Sequence, residues 1–169
     1  MIPTINIFTE NIYDKWELNE KELIDNARTY LNYFLSTPEI YNNSCLHNQI
    51  FDTIVFDILY CDSEKTHTIN RDYRNKDYPA DIITFAIFAD SSDDEKFIFD
   101  GEINLGEIII ALDKVEKNAQ EKKLTKNYEL NFLIAHGIMH LLGFDHQTEN
   151  EYNFIVNAQE QALSKVKGF

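Results

Sequence analysis

Three of the chain's five histidines, His136, His140 and His146, fall in one short segment near the C-terminus. His136 and His140 are four residues apart. On a helix, such a pair shares one face, displaced by about 6 Å along the axis. Two imidazoles so placed converge on one ion. The helical reading is supported by Leu130, Leu133, Ile134, Gly137, Ile138 and Leu141, which recur at helical spacing and form a core-facing stripe beside the two histidines. Gly143 supplies a residue that takes positive φ and ends a helix. The chain then turns, and His146 returns as a third nitrogen ligand. Three histidines leave a fourth position open for water, as catalytic zinc sites do. Three imidazoles also favour zinc, copper or nickel over magnesium. His47 and His67 have no such company and are expected in ordinary surface or core roles.

The spacing H-x3-H-x5-H is similar to the metzincin protease pattern, glycine included. Where those proteases carry a glutamate base, this chain has Gly137. Glycine cannot take a proton from water, so ordinary proteolysis of that type is disfavoured.

The stretch His136-Gly137-Ile138-Met139-His140-Leu141-Leu142-Gly143-Phe144-Asp145-His146 resembles the signature HGxLHLxGxDH of the YbeY family, bacterial zinc endoribonucleases that mature ribosomal RNA. Met139 stands in place of the usual leucine. Upstream, Asn70-Arg71-Asp72-Tyr73-Arg74-Asn75-Lys76-Asp77-Tyr78-Pro79 resembles that family's N-x-x-Y/F-R-x-K-D-x-P segment. The strand after it, Ala80 to Phe85, departs at two hydroxyl positions. Leu105-Gly106-Glu107-Ile108 is similar to L-G-D-I, with glutamate for aspartate. Together these motifs run from about residue 62 to 146, and the acidic 89–102 segment has no counterpart among them.

The resemblance implies one zinc ion on His136, His140 and His146, with Arg74 contacting phosphate. It implies a single-strand-specific endoribonuclease acting on the 16S ribosomal RNA 3′ end and in ribosome quality control. Ribosomal RNA, small-subunit ribosomal proteins or an assembly GTPase are then the expected partners. Zinc chemistry suits this, because the ion acidifies water and polarises a phosphoryl oxygen. A guanidinium at Arg74 pairs with two oxygens at once, although by setting alone a surface salt bridge is the more ordinary role for it. Lys76 and Arg71 add local positive charge or are simply solvated. Asp145 adjoins a ligand, and either orients a histidine or shapes the turn. Asp81 and Glu107 lie near buried strands and need partners, which favours structural pairing over catalysis. No general base is nominated. Two further readings are a ribosome-assembly factor that does not cut and whose zinc is structural, and a zinc hydrolase acting on another bond.

These residues need a scaffold. Residues 2–8 read as a strand. Asn19 with Glu22 opens a helix whose face is Leu23, Ile24, Ala27, Leu31 and Phe34. Pro38 and Asn42-Asn43-Ser44 break that pattern. Residues 53–60 are rich in β-formers. A polar stretch with a short helix precedes Pro79. Residues 81–88 form a near-continuous apolar run, expected as a strand covered on both faces. An acidic loop at 90–95, a buried strand at 103–112 and helices at about 113–123 and 127–142 follow. Thr148 with Glu151 is a capping box for a last helix, whose apolar side is Tyr152, Ile155, Val156, Leu163 and Val166. The expectation is a single α+β domain spanning 1–169, with a small mixed sheet of about four strands packed with helices.

Composition bounds the rest. With 169 residues, 44% hydrophobic and 13% aromatic, the chain affords a real core. No apolar run is long enough for a membrane span, and the N-terminus lacks the pattern of a secretory signal. Cys45 and Cys61 form no CxxC pair and are expected as reduced, mostly buried thiols, which suits the cytoplasm. The formal net charge of −14 repels nucleic acid in bulk, so any RNA contact must use a local basic patch, an ion or a partner.

Overall fold

The computed structural model describes residues 2–169. In chain order the elements are β1 (Thr4–Asn11), α1 (Glu20–Ser36), α2 (Pro38–Tyr41), β2 (Thr53–Cys61), α3 (Ser63–Arg74), β3 (Ile82–Phe85), α4 (Ile87–Asp90), β4 (Glu102–Ala111), α5 (Leu112–Lys122), α6 (Lys126–Leu141) and α7 (Glu149–Leu163). The four strands form one mixed sheet in the order β1-β2-β4-β3, an α+β architecture. The pairs β1–β2 and β2–β4 are parallel, and β3 runs antiparallel to β4. Among the described residues no helix is long and apolar enough to cross a membrane.

Alternation along the strands sorts the side chains onto two faces. One face carries Ile5, Ile7, Ile54, Phe56, Ile58, Ile103, Ile108 and Ile110, all buried. Helices α1, α6 and α7 bring Leu23, Leu31, Phe34, Ile134, Ile138, Ile155 and Leu163 into the same core. Each such fully buried aliphatic or phenyl group contributes about 1.5–3 kcal/mol. On the other face, Ile69 of α3 packs with Cys61, Ile83 and Ile109. The β1 side of that face is open, and Phe8 stays 60% exposed there.

The two expected N-caps form, while the reciprocal half of each box goes elsewhere, from Glu22 to the Asn19 side-chain amide and from Glu151 to the Gln147 backbone N–H. Asn19 and Thr148 accept the backbone N–H groups of Glu22 and Glu151. Two elements differ from expectation. The apolar run at 81–88 is a strand only to Phe85, after which the chain enters α4. A continuous apolar run does not distinguish strand from buried helix, and β3 is covered unevenly: Ile83 is buried, while Ile82, partly packed against the main core, and Thr84 line a cleft. The polar stretch after residue 62 is a full twelve-residue helix, capped by Asp62 and ended by Asn75 in the left-handed region at φ 53°. Its buried residues, Thr66, Ile69 and Asn70, are too few and too polar to stand out as an apolar stripe.

A bulge in the β2–β4 pairing lies at Val55/Phe56, opposite Gly106. Gly106 adopts φ +128°, and a Cβ there would sit 1.9 Å from the Phe85 carbonyl oxygen. Only glycine lets the end of β3 approach β4 this closely. Both cysteines are free, with Cys61 buried and Cys45 half-buried, and burial raises their thiols to about 12 and about 11.

Candidate metal centre and cleft

Helix α6 places His136 and His140 on its half-exposed edge, while Leu133, Ile134, Gly137, Ile138 and Leu141 are buried. Gly137 points directly at β4. A Cβ on it would come within 2.9 Å of the Ile108 side chain. The helix therefore rests on the sheet at this residue, and a side chain here would face the core, not the histidines.

The helix ends in a Schellman turn. The N–H of Gly143 donates to His140 O at 3.0 Å, and the N–H of Phe144 donates to Met139 O at 3.1 Å. Gly143 takes φ +99°, the left-handed conformation this ending requires. The reversal brings His146 back beside α6. The three imidazoles each offer a nitrogen within 4.8 Å of the others. His136 Nε2 and His140 Nε2 face each other at 2.9 Å.

The residues present fit a metal ion. A tetrahedral zinc with bonds of about 2.0–2.1 Å holds its ligand nitrogens roughly 3.3 Å apart, a spacing that small rotations of these rings reach. The two rings carried by α6 are also disposed to be neutral. Burial lowers the pKa of His140 to about 4, helped by His136 and His146 and opposed by Asp145 and the Phe144 backbone. Burial lowers His136 as well, against the hydrogen bond that the Gln159 side-chain oxygen accepts from it.

The triad lines a cleft of about 640 Å³ between α6, β3, α4 and the end of α3. Arg74 and Lys76 lie on its wall with Asp81, Asp90 and Asp145. Arg74 is the last residue of α3. Its Nη1 donates to Asn70 Oδ1 at 3.2 Å, so its partner is an amide and not a carboxylate. Asn70 is 1% exposed, and its Nδ2 donates to Tyr78 O at 2.9 Å. Arg71, by contrast, pairs with its neighbour Asp72 at 3.3 Å and does not line the cleft.

Asp145 lies at the turn. Its Oδ1 accepts the His146 backbone N–H at 2.7 Å, and its Oδ2 accepts Gln147 Nε2 at 2.9 Å. The first of these bonds holds its carboxyl below the ordinary range. Its Oδ1 lies 3.7 Å from His146 Nδ1, too far for a hydrogen bond. Asp81 accepts Asn118 Nδ2 at 3.1 Å. Glu107 lies on the opposite face of the sheet, across from Asp57, and burial together with that neighbour raises its pKa. His67 pairs with Asp77 at 2.8 Å and ties α3 to the turn below it, while His47 packs edge-on to Tyr41.

Two residues escaped the sequence reading. Asn70 stands inside a motif with no mark of its own, and Gln159 lies outside every motif. Gln159 lies on the buried face of α7 among Ile155, Ala158, Ala162 and Leu163, and its Oε1 is 3.3 Å from His136 Nδ1. A polar residue in the middle of an apolar stripe was the available signal.

A family profile described as "Endoribonuclease YbeY" matches residues 9–167 of the chain. Among curated relatives, the endoribonuclease YbeY of Malacoplasma penetrans is 36% identical over 70% of this chain and 74% of its own length. That of Geobacillus sp. strain WCH70 is 41% identical over 64% of this chain and 70% of its own. That of Bacillus cereus strain G9842 is 35% identical over 78% and 85%. The solution structure of TM1509 from Thermotoga maritima is similar in fold, with a TM-score of 0.57 at 22% identity, covering 98% of this chain and 90% of the other.

Proposed function

Because this chain belongs to the YbeY endoribonuclease family, we propose that it cleaves single-stranded RNA with one zinc ion held by His136, His140 and His146. Three imidazoles meet in a cleft that also carries Arg74 and Lys76, and this juxtaposition of ion ligands with fixed cations supports phosphodiester chemistry. The substrate is ribosomal RNA at the 16S 3′ end, in maturation and ribosome quality control. The setting is the cytoplasm, with small-subunit ribosomal proteins or an assembly GTPase as partners.

A bound zinc ion supplies Lewis acidity and an acidified water near neutral pH. The remaining work falls to the chain's own groups. Arg74 holds the phosphate through two parallel N–H donors, a geometry that lysine cannot copy. Asn70 restrains that guanidinium from one side and is itself fixed by Tyr78 O. Lys76 adds a second positive charge. Asp145 steadies the His146 turn through the backbone N–H it accepts. Asp81, Asp90 and Asp145 repel phosphate from the rest of the cleft wall, so a strand is directed toward Arg74.

Purified protein is expected to cut single-stranded RNA, with activity lost on chelation and in His140→Ala. Metal-free wild type that cuts equally well would overturn the assignment. One observation favours a second reading, that of an assembly factor which does not cut: the net charge of −14 suits a basic protein partner better than RNA. Rescue of rRNA processing in a deletion strain by both Arg74→Ala and His140→Ala would decide for it. A zinc hydrolase acting on peptides is disfavoured by Gly137, whose side-chain direction leads into Ile108.

A further inference from the structure

Gln159 stands outside the ligand set yet touches it. Its side chain is 1% exposed, so both polar ends of its amide need partners inside the protein. One end is fixed by chemistry. Phe132 O can only accept, so the atom 3.1 Å from it must be the amide nitrogen. The carbonyl oxygen, Oε1, is then the atom that faces His136 Nδ1 at 3.3 Å. An amide oxygen can only accept, so His136 must carry its proton on Nδ1. The lone pair is thereby assigned to Nε2, the nitrogen that faces His140. Phe132 lies one helical turn before His136, so the amide is anchored on the same helix that carries the ligand.

We propose that Gln159 is a positioning residue that locks His136 in the Nδ1–H tautomer, with Nε2 turned toward the ion. Resting on the zinc reading of the triad, it adds that α7, which carries no ligand, controls the ligand's readiness. Without Gln159, imidazole in the metal-free protein is free to hold its proton on Nε2, where metal binding must first displace it. Partners of this kind are worth roughly 10–100-fold in metal affinity.

The test separates tautomer from affinity. In metal-free wild type, two-bond 1H–15N correlation of the histidine side chains is expected to show His136 as the Nδ1–H form. Zinc affinity, measured by competition with a chromophoric chelator, is expected to fall roughly 10–100-fold in Gln159→Met. Gln159→Glu keeps an acceptor for the Nδ1 proton but loses the N–H that Phe132 O accepts, so it is expected to keep the tautomer while lowering the melting temperature. An Nε2–H tautomer of His136 in the wild type overturns the proposal, whether or not a variant folds. So does a Gln159→Met protein that binds zinc within twofold of wild type. A wild type that binds zinc but cuts no RNA would sink the ribonuclease reading and leave the Gln159 assignment standing.

Discussion

Protonation decides whether His140 can serve as a ligand, and burial is what removes the proton. Its pKa of about 4 lies below the ordinary histidine value of 6.5. Between those values the unfolded chain binds a proton that the folded chain refuses. Stability of the metal-free protein is therefore fully present above about pH 6.5 and falls as the pH drops toward about 4. His136, lowered by the same cause, adds to this in the same direction. Urea midpoints of metal-free wild type and His140→Gln across that range check the sign, since the variant should lose less on acidification. Among single residues, the clustering of His136 and His140 was legible in the sequence because i, i+4 spacing maps onto one helix face. Asn70 and Gln159 were not, because their partners, Tyr78 O and His136 Nδ1, are matched only by packing.

Helix α6 does two jobs along one axis: it packs on β4 and it carries two of the three clustered histidines. Gly137 is where these meet. Replacing it with alanine gains about 1 kcal/mol of helix propensity. The added methyl would stand 2.9 Å from Ile108 Cδ1, and overpacking of this kind costs about 1–3 kcal/mol. Gly137→Ala is expected to lower the melting temperature and zinc affinity together, because α6 must lift from the sheet and takes both histidines with it. Ile108→Val in the same chain removes the nearest atom and should recover part of each. A Gly137→Ala protein as stable as wild type would show that the contact is looser than drawn. Strand β3 teaches a related lesson. Its apolar run reads as covered on both faces, yet one face opens on the cleft, because α4 and the close approach at Gly106 end the strand at Phe85.

At the scale of the molecule, a chain of net charge −14 meets a polyanion through a very small positive area. Arg74 and Lys76 are the cations on the cleft wall. Each phosphate neutralised on a single strand contributes about −0.7 to the slope of log K against log salt. RNA binding by metal-free protein is thus expected to show a shallow slope, near −1.4 for two contacts and about −0.7 in Arg74→Ala. Titration of a labelled oligonucleotide at several salt concentrations measures both. A slope several times steeper would mean that another basic surface carries the RNA.

By itself the sequence determined the three histidines that could hold an ion, the four-stranded α+β plan and the absence of a glutamate base at position 137. All of these follow from local spacing, periodicity and residue type. Only the tertiary structure decided what surrounds the ligands. The bulge at Gly106, the direction of Gly137 into Ile108 and the reach of Gln159 from α7 to His136 join residues distant in the chain, and close packing rather than sequence spacing sets those distances. The three histidines could be found by counting. That His136 and His140 are buried enough to favour the neutral form, and that His136 is held by an amide from another helix, depends on packing that no local pattern records.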